Sequence, residues 1–237
     1  MIFPTWLRQC VWLGAAAVLT ATMAAADAAP KKKAKGGATG PARWEETIRK
    51  FEAEDAAQAP AKGGVLLVGG SNARRWTDVA TYFPGHTVLN RGFGGAQLAD
   101  VLHYADRIVL PYAPRIIVLN AGGNDLNGGR SLDQVAETAA ALAAKVRAAL
   151  PATKILQVGV PPVLRAAGTP EGLAAIRAAN ARLATAAQAA GNVEFIDLVP
   201  AFLGADGQPR RELFVEDGTH FSAAGYAVVA GLLRGKL

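Results

Sequence analysis

Short apolar runs recur along this chain, each leading into polar or glycine-rich residues and then into a stretch with helical spacing. That alternation restricts the possible folds more than any other feature. The runs are residues 64–68 (GVLLV), 87–89 leading into Asn90, 115–119 (RIIVL), 154–160 and 193–198. Continuous apolar strands, unlike strands that alternate apolar with polar, belong to sheets covered on both faces. The intervening segments read as helices. Trp44, Ile48 and Phe51 fall at helical spacing, and residues 96–108, 170–190 and 222–233 follow the same pattern. Ser131 and Gln134 form a capping-box pattern ahead of an alanine-rich helix that runs to Leu150, where Pro151 breaks it. The expected fold is α/β: a three-layer α/β/α sandwich around a five-stranded parallel, doubly wound sheet.

In such a fold, sites form beyond the carboxyl ends of the strands. The residues able to do chemistry gather there in the sequence. Gly69-Gly70-Ser71-Asn72 follows the first strand and Asn90-Arg91-Gly92-Phe93-Gly94-Gly95 the second. Ala121-Gly122-Gly123-Asn124-Asp125 follows the third, and Glu216-Asp217-Gly218-Thr219-His220 precedes the last helix. Four segments distant in sequence are expected to meet on one rim.

A serine hydroxyl needs a neighbouring base to remove its proton, and that base is usually a histidine oriented by a carboxylate. The chain has three histidines. His86 lies in a Pro-Gly turn before the second strand, at the wrong end of the sheet. His103 falls inside a helix. His220 has Asp217 three residues before it in a glycine-containing loop, close enough for the carboxylate to curl back to the imidazole. Ser71 stands where a strand turns into a helix, a position that also suits a helix cap. Paired with His220, it reads as a nucleophile. The backbone N–H of Ser71, the backbone N–H of Gly95 and the side-chain amide of Asn124 are candidate donors to a tetrahedral oxyanion. Phe93, Leu126 and Val163 are candidate pocket residues, and Arg74, Arg75, Arg91 and Arg165 candidate contacts for an anionic substrate. Gly92-Phe93-Gly94-Gly95 departs from G-x-G-x-x-G at Gln97, which argues against dinucleotide binding.

Gly69-Gly70-Ser71-Asn72, Gly95, Gly122-Gly123-Asn124-Asp125 and Asp217-Gly218-Thr219-His220 resemble, in order, the four blocks of SGNH (GDSL-type) hydrolases. The run from His220 to Tyr226 is similar to the last block as well, and the resemblance covers roughly residues 62–230. It implies a flavodoxin-like sandwich and ester hydrolysis without a cofactor or metal. Ser71 would be the nucleophile, His220 the general base and Asp217 its orienter. Ser71, Gly95 and Asn124 would form the oxyanion hole. One departure is plain: the first block usually reads G-D-S, and Gly70 replaces the aspartate. The G-x-S-x-G elbow of ordinary α/β-hydrolases is missing, since Ala73 follows Asn72.

Charge and the N-terminus complete the reading. The formal charge is +6, yet five of the 25 basic and only one of the 19 acidic side chains lie in residues 1–42. The remainder is nearly neutral, which argues against a nucleic-acid surface. Arg8 and the apolar run 11–26, closed by Ala26-Asp27-Ala28, have the form of a signal peptide. The run is shorter than the roughly 20 residues of a comfortable membrane span. Residues 1–28 are read as this peptide, 29–42 as a basic flexible linker and 43–237 as one hydrolase domain, exported to the periplasm or beyond. Cys10 is the sole cysteine, so cleavage leaves no thiol chemistry. Connections between elements look short and no long apolar lid is evident. Small acyl groups are therefore expected, such as acetyl on a carbohydrate or lipid, with a small-molecule or polysaccharide ester as substrate. Two alternatives stay open: a catalytically silent binding module of the same fold, and a metal-dependent hydrolase. The second has no additional histidine or carboxylate pair beside His220 to support it.

Overall fold

The computed structural model describes residues 40–237. The expected signal peptide lies outside the described residues, as does all but the end of the basic stretch. Gly40–Trp44 form a 3-10 turn whose Pro41 carbonyl accepts a 2.8 Å hydrogen bond from the Tyr104 hydroxyl.

One sheet is built from β1 Val65–Gly69, β2 Val88–Gly92, β3 Ile116–Asn120, β4 Lys154–Val158 and β5 Val193–Ile196. Every neighbouring pair is parallel, in the order β2-β1-β3-β4-β5. The helices among the described residues are α1 Glu45–Ala57, α2 Ser71–Arg75, α3 Leu98–Ile108 and α4 Gly123–Asn127. They continue with α5 Leu132–Ala149, α6 Leu164–Ala167, α7 Pro170–Ala190, α8 Val199–Phe202 and α9 Ala223–Arg234. The chain thus adopts the expected α/β sandwich.

Side chains alternate along a strand, so each apolar run feeds two cores. Leu66 and Val68 of β1, Ile117 and Leu119 of β3, and Ile155 of β4 pack with Ile48, Val101, Leu142 and Leu183 on one face. Val65, Leu67, Ile116, Val118, Leu156 and Val158 pack with Trp76, Phe202, Phe221 and Val229 on the other. Each such side chain, fully buried, is worth roughly 1.5–3 kcal/mol over leaving it in water. This explains why the strands carry no polar alternation.

Strand ends shift where polar side chains compete for the backbone. β2 runs on through Asn90 and Arg91 because both are satisfied there. Asn90 Nδ2 donates to the Ala73 and Trp76 carbonyls at 2.8 and 3.1 Å. β4 stops at Val158, short of residue 160, because Asn180 takes both the N–H and the C=O of Val160, at 2.8 and 3.0 Å. β5 stops at Ile196, where Asp197 accepts from the Val199 N–H at 3.0 Å and starts α8.

Strand order reverses between β1 and β3, since β2 lies to one side of β1 and β3 to the other. The crevice beyond their carboxyl ends is the expected binding place in a sheet of this kind. Gly69 and Asn120 end the two strands in register there.

Candidate active site

Gly69 has φ +141°, and a Cβ on it would stand 2.0 Å from the Asn120 carbonyl oxygen. Only glycine fits so close to a neighbouring strand. The turn that follows places Ser71 at the first position of α2, where its N–H has no acceptor inside the helix.

Ser71 Oγ lies 2.9 Å from His220 Nε2, and His220 Nδ1 lies 2.7 Å from Asp217 Oδ2. The other oxygen of Asp217 accepts from the backbone N–H groups of Thr219 and His220, each at 2.9 Å. The His220 N–H bond, the imidazole and the Thr219 N–H hold this carboxyl well below the usual aspartate range. Asp217 is therefore ionised and can only accept. Its partner Nδ1 must carry the proton, which leaves the Nε2 lone pair facing the serine hydroxyl.

The Ser71 and His220 segments are tied by residues beside them. Asn72 Oδ1 accepts from the Phe221 N–H at 3.1 Å, and its carbonyl accepts from the Tyr226 hydroxyl at 2.9 Å. The Tyr226 ring stacks on Trp76, with centroids 4.9 Å apart. Such a pair adds about 1 kcal/mol beyond the area it buries. The sequence marked Asn72 as part of a motif without a role; its position next to the serine was the only signal.

Asn124 Nδ2 donates to the Ala96 carbonyl at 2.9 Å. Its second N–H has no protein acceptor among the described residues and stands near Gly70, which precedes the serine. Gly95 has φ +82°, a Cβ on it would stand 3.5 Å from the Trp44 ring, and its N–H likewise has no protein acceptor among the described residues. Gln97 Nε2 donates to the Asn124 carbonyl at 3.2 Å. Both Asp125 oxygens lie 3.1 Å from the Leu98 N–H. These bonds join the Gly95 and Asn124 segments into one unit. Burial raises the Asp125 carboxyl to about 6, against the lowering effect of the Leu98 N–H.

Leu126 and Val163 line the cleft beside Ser71, together with Asn124. Phe93 does not. It is fully buried, in edge-to-face contact with Trp44 and Tyr104 at centroid distances of 5.6 and 6.4 Å. Its place next to the glycine turn suggested a pocket residue, but the strand turns it inward to the core. Arg91 is corrected in the same way. It is buried, donates to Asp55 and Tyr112, and cannot meet a substrate. Arg75 lies 3.8 Å from Asp217, at the edge of the site. His86 pairs with Arg115, and His103 packs on the Tyr104 ring; neither belongs to the site. Among the described residues no group of three or more His, Cys, Asp or Glu is placed to hold a metal ion.

The family profile described as GDSL-like Lipase/Acylhydrolase matches residues 61–228. No curated protein matches the sequence. Among solved structures, the chain is similar to a Streptococcus pneumonia protein described as a candidate platelet activating factor. The identity there is 23%, with 81% of this chain and 91% of that chain covered and a TM-score of 0.71. A GDSL-like lipase from Bacteroides thetaiotaomicron shares 21% identity over 79% of this chain and 95% of its own, with a TM-score of 0.67. An acetylxylan esterase from Geobacillus stearothermophilus, solved as a catalytic mutant, shares 16% over 73% and 94%, with a TM-score of 0.58. At these identities the structural likeness is one of fold, whereas the family profile spans most of the sequence. The chain belongs to the SGNH/GDSL family of ester hydrolases.

Proposed function

We propose that Ser71 is the nucleophile of a two-step acyl transfer, with His220 as its base and Asp217 holding that base in the required tautomer. The 2.9 Å approach of Ser71 Oγ to His220 Nε2, backed by the 2.7 Å contact to Asp217, carries this reading. Ser71 Oγ attacks the ester carbonyl while its proton passes to His220 Nε2. The N–H groups of Ser71, Gly95 and Asn124 receive the oxyanion. His220 returns the proton to the leaving alcohol as the acyl-enzyme forms. Water, deprotonated by the same nitrogen, then releases the acid. No step calls for a cofactor.

The signal-peptide pattern of residues 1–28 supports export, with the folded domain acting in the periplasm or outside the cell. No helix among the described residues is long and apolar enough to cross a membrane. Carboxylic esters are the substrates. The expectation of short acyl groups rests on brief connections between elements, and the apolar cleft beside Ser71 speaks for longer ones.

Replacing Ser71 with alanine tests the reading. Turnover of a p-nitrophenyl ester is expected to fall by about 10⁴-fold or more, with the fold intact by circular dichroism. A fluorophosphonate should label the wild type, and His220→Ala should abolish labelling. Retained turnover in Ser71→Ala refutes the assignment, and a folded chain that neither turns over nor labels is a binding module.

A further inference from the structure

The cleft that opens beside Ser71 has a volume of about 300 Å³. Ala121, Val160 and Ile176 form its buried wall, and Leu132, Ala166 and Ala175 its exposed rim. Among the described residues no charged and no aromatic side chain lines it. Two large apolar side chains are exposed among the described residues, and one of them, Leu132, is on this rim.

Geometry fixes which part of an ester enters. The tetrahedral carbon on Ser71 Oγ carries three other groups. Its oxyanion goes to the N–H donors, and its leaving oxygen must come within reach of His220 Nε2 to take the proton. The cleft is walled by Ser71 and Asn124 but not by the His220 ring. The group left to occupy it is the acyl chain. An acetyl methyl fills a small part of that space, because a chain carbon takes up about as much room as a water molecule, roughly 30 Å³. Asn72, Asn120, Asn124, Asn127 and Thr219 supply the polar part of the lining, and the continuous apolar part, from Leu126 and Leu132 through Val160 and Val163 to Ile176, suits an unbranched aliphatic chain.

We propose that this cleft is an acyl-chain site and that the enzyme prefers esters of unbranched aliphatic acids of about six to ten carbons to acetate esters. The inference rests on Ser71 being the nucleophile.

Its test is the chain-length profile of the full chain on p-nitrophenyl acetate, butyrate and octanoate, with Ser71→Ala as background. Each methylene buried in an apolar wall is worth about fourfold in kcat/KM. Octanoate is therefore expected to exceed acetate by at least about tenfold, allowing for chain carbons that stay wet at the rim. Ala175→Trp places bulk at the rim from an exposed helical position and should lower the octanoate-to-acetate ratio by about fivefold or more. Ser71-dependent turnover with acetate equal or superior to octanoate overturns the acyl-chain site and leaves the hydrolase standing. A wild-type preference for octanoate that a folded Ala175→Trp leaves unchanged overturns the location. No Ser71-dependent turnover of any ester removes the hydrolase reading and this inference with it. The wild-type profile decides the question even where the variant fails to fold.

Discussion

A Cβ on Gly70 would stand 2.8 Å from Asn124 Nδ2 and 3.3 Å from the Ala96 carbonyl oxygen. The space that a side chain would fill is the space into which the Asn124 amide projects. Glycine at this position leaves room for that amide directly beside the serine turn. Gly70→Ala forces the amide to move, and a terminal amide moves at little cost to the fold. The expected result is a stability within about 0.5 kcal/mol of wild type and a kcat lower by about tenfold, since full loss of an oxyanion donor costs 10²–10³-fold. Paired denaturation and steady-state kinetics check it, and an unchanged kcat would show that Asn124 does not act from this position. At this scale the meeting of Ser71, Asp217 and His220 was legible in the sequence, because hydroxyl, imidazole and carboxylate stand in polar segments with few competitors. Phe93 and Arg91 were misread because their direction is set by packing on distant elements, which local sequence does not record.

Arg91 of β2 reaches across to Asp55 of α1, to the Tyr112 hydroxyl at 2.9 Å and, at 3.7 Å, to Glu54. Its guanidinium also sits 4.9 Å from the centre of the Phe51 ring. Burial and the neighbouring Asp55 push the Tyr112 hydroxyl up to about 12, so it stays protonated and donates to that carboxylate at 2.6 Å. The cluster clamps the first helix to the edge strand. Trp44 caps the start of α1, and a Cβ on Gly95 would stand 3.5 Å from the Trp44 ring. Asp55→Ala leaves a buried guanidinium with only the more distant Glu54 carboxylate, and should destabilise the fold by about 3 kcal/mol. Urea unfolding measures it, and a change below about 1 kcal/mol would mean that the clamp is redundant. Helices and strands as elements were readable because their apolar periods differ. The four- and five-residue helices α2, α4, α6 and α8 were not delimited, since they are too short to show a period and are held by contacts from elsewhere in the chain.

For the molecule as a whole, Asp125 sets a pH dependence opposite to that of the other perturbed acids. Its carboxyl titrates at about 6 in the fold against an ordinary 3.8, through burial. Between these values the folded chain holds a proton that the unfolded chain has released, so stability falls as pH rises through the window. Asp217 and Glu45 are held low, and the stability they lend is lost only below the ordinary carboxylate range. Asp125→Asn removes the titrating group and keeps an acceptor for Leu98. The melting temperature of the variant minus that of the wild type should therefore grow by roughly 3–6 °C from pH 4 to pH 7. A flat difference would show that Asp125 is ionised throughout. The layered architecture itself was legible because five apolar runs and their intervening helices leave few other ways to cover a sheet. The bonds from Asn72, Gln97 and Asp125 that hold the site together were not, because they cross up to 154 residues and leave no local period. That distance has a temporal side. Ser71 is synthesised 149 residues ahead of the histidine it contacts. A chain emerging from the ribosome therefore holds the serine hydroxyl without the imidazole beside it until the last segment of the domain is made.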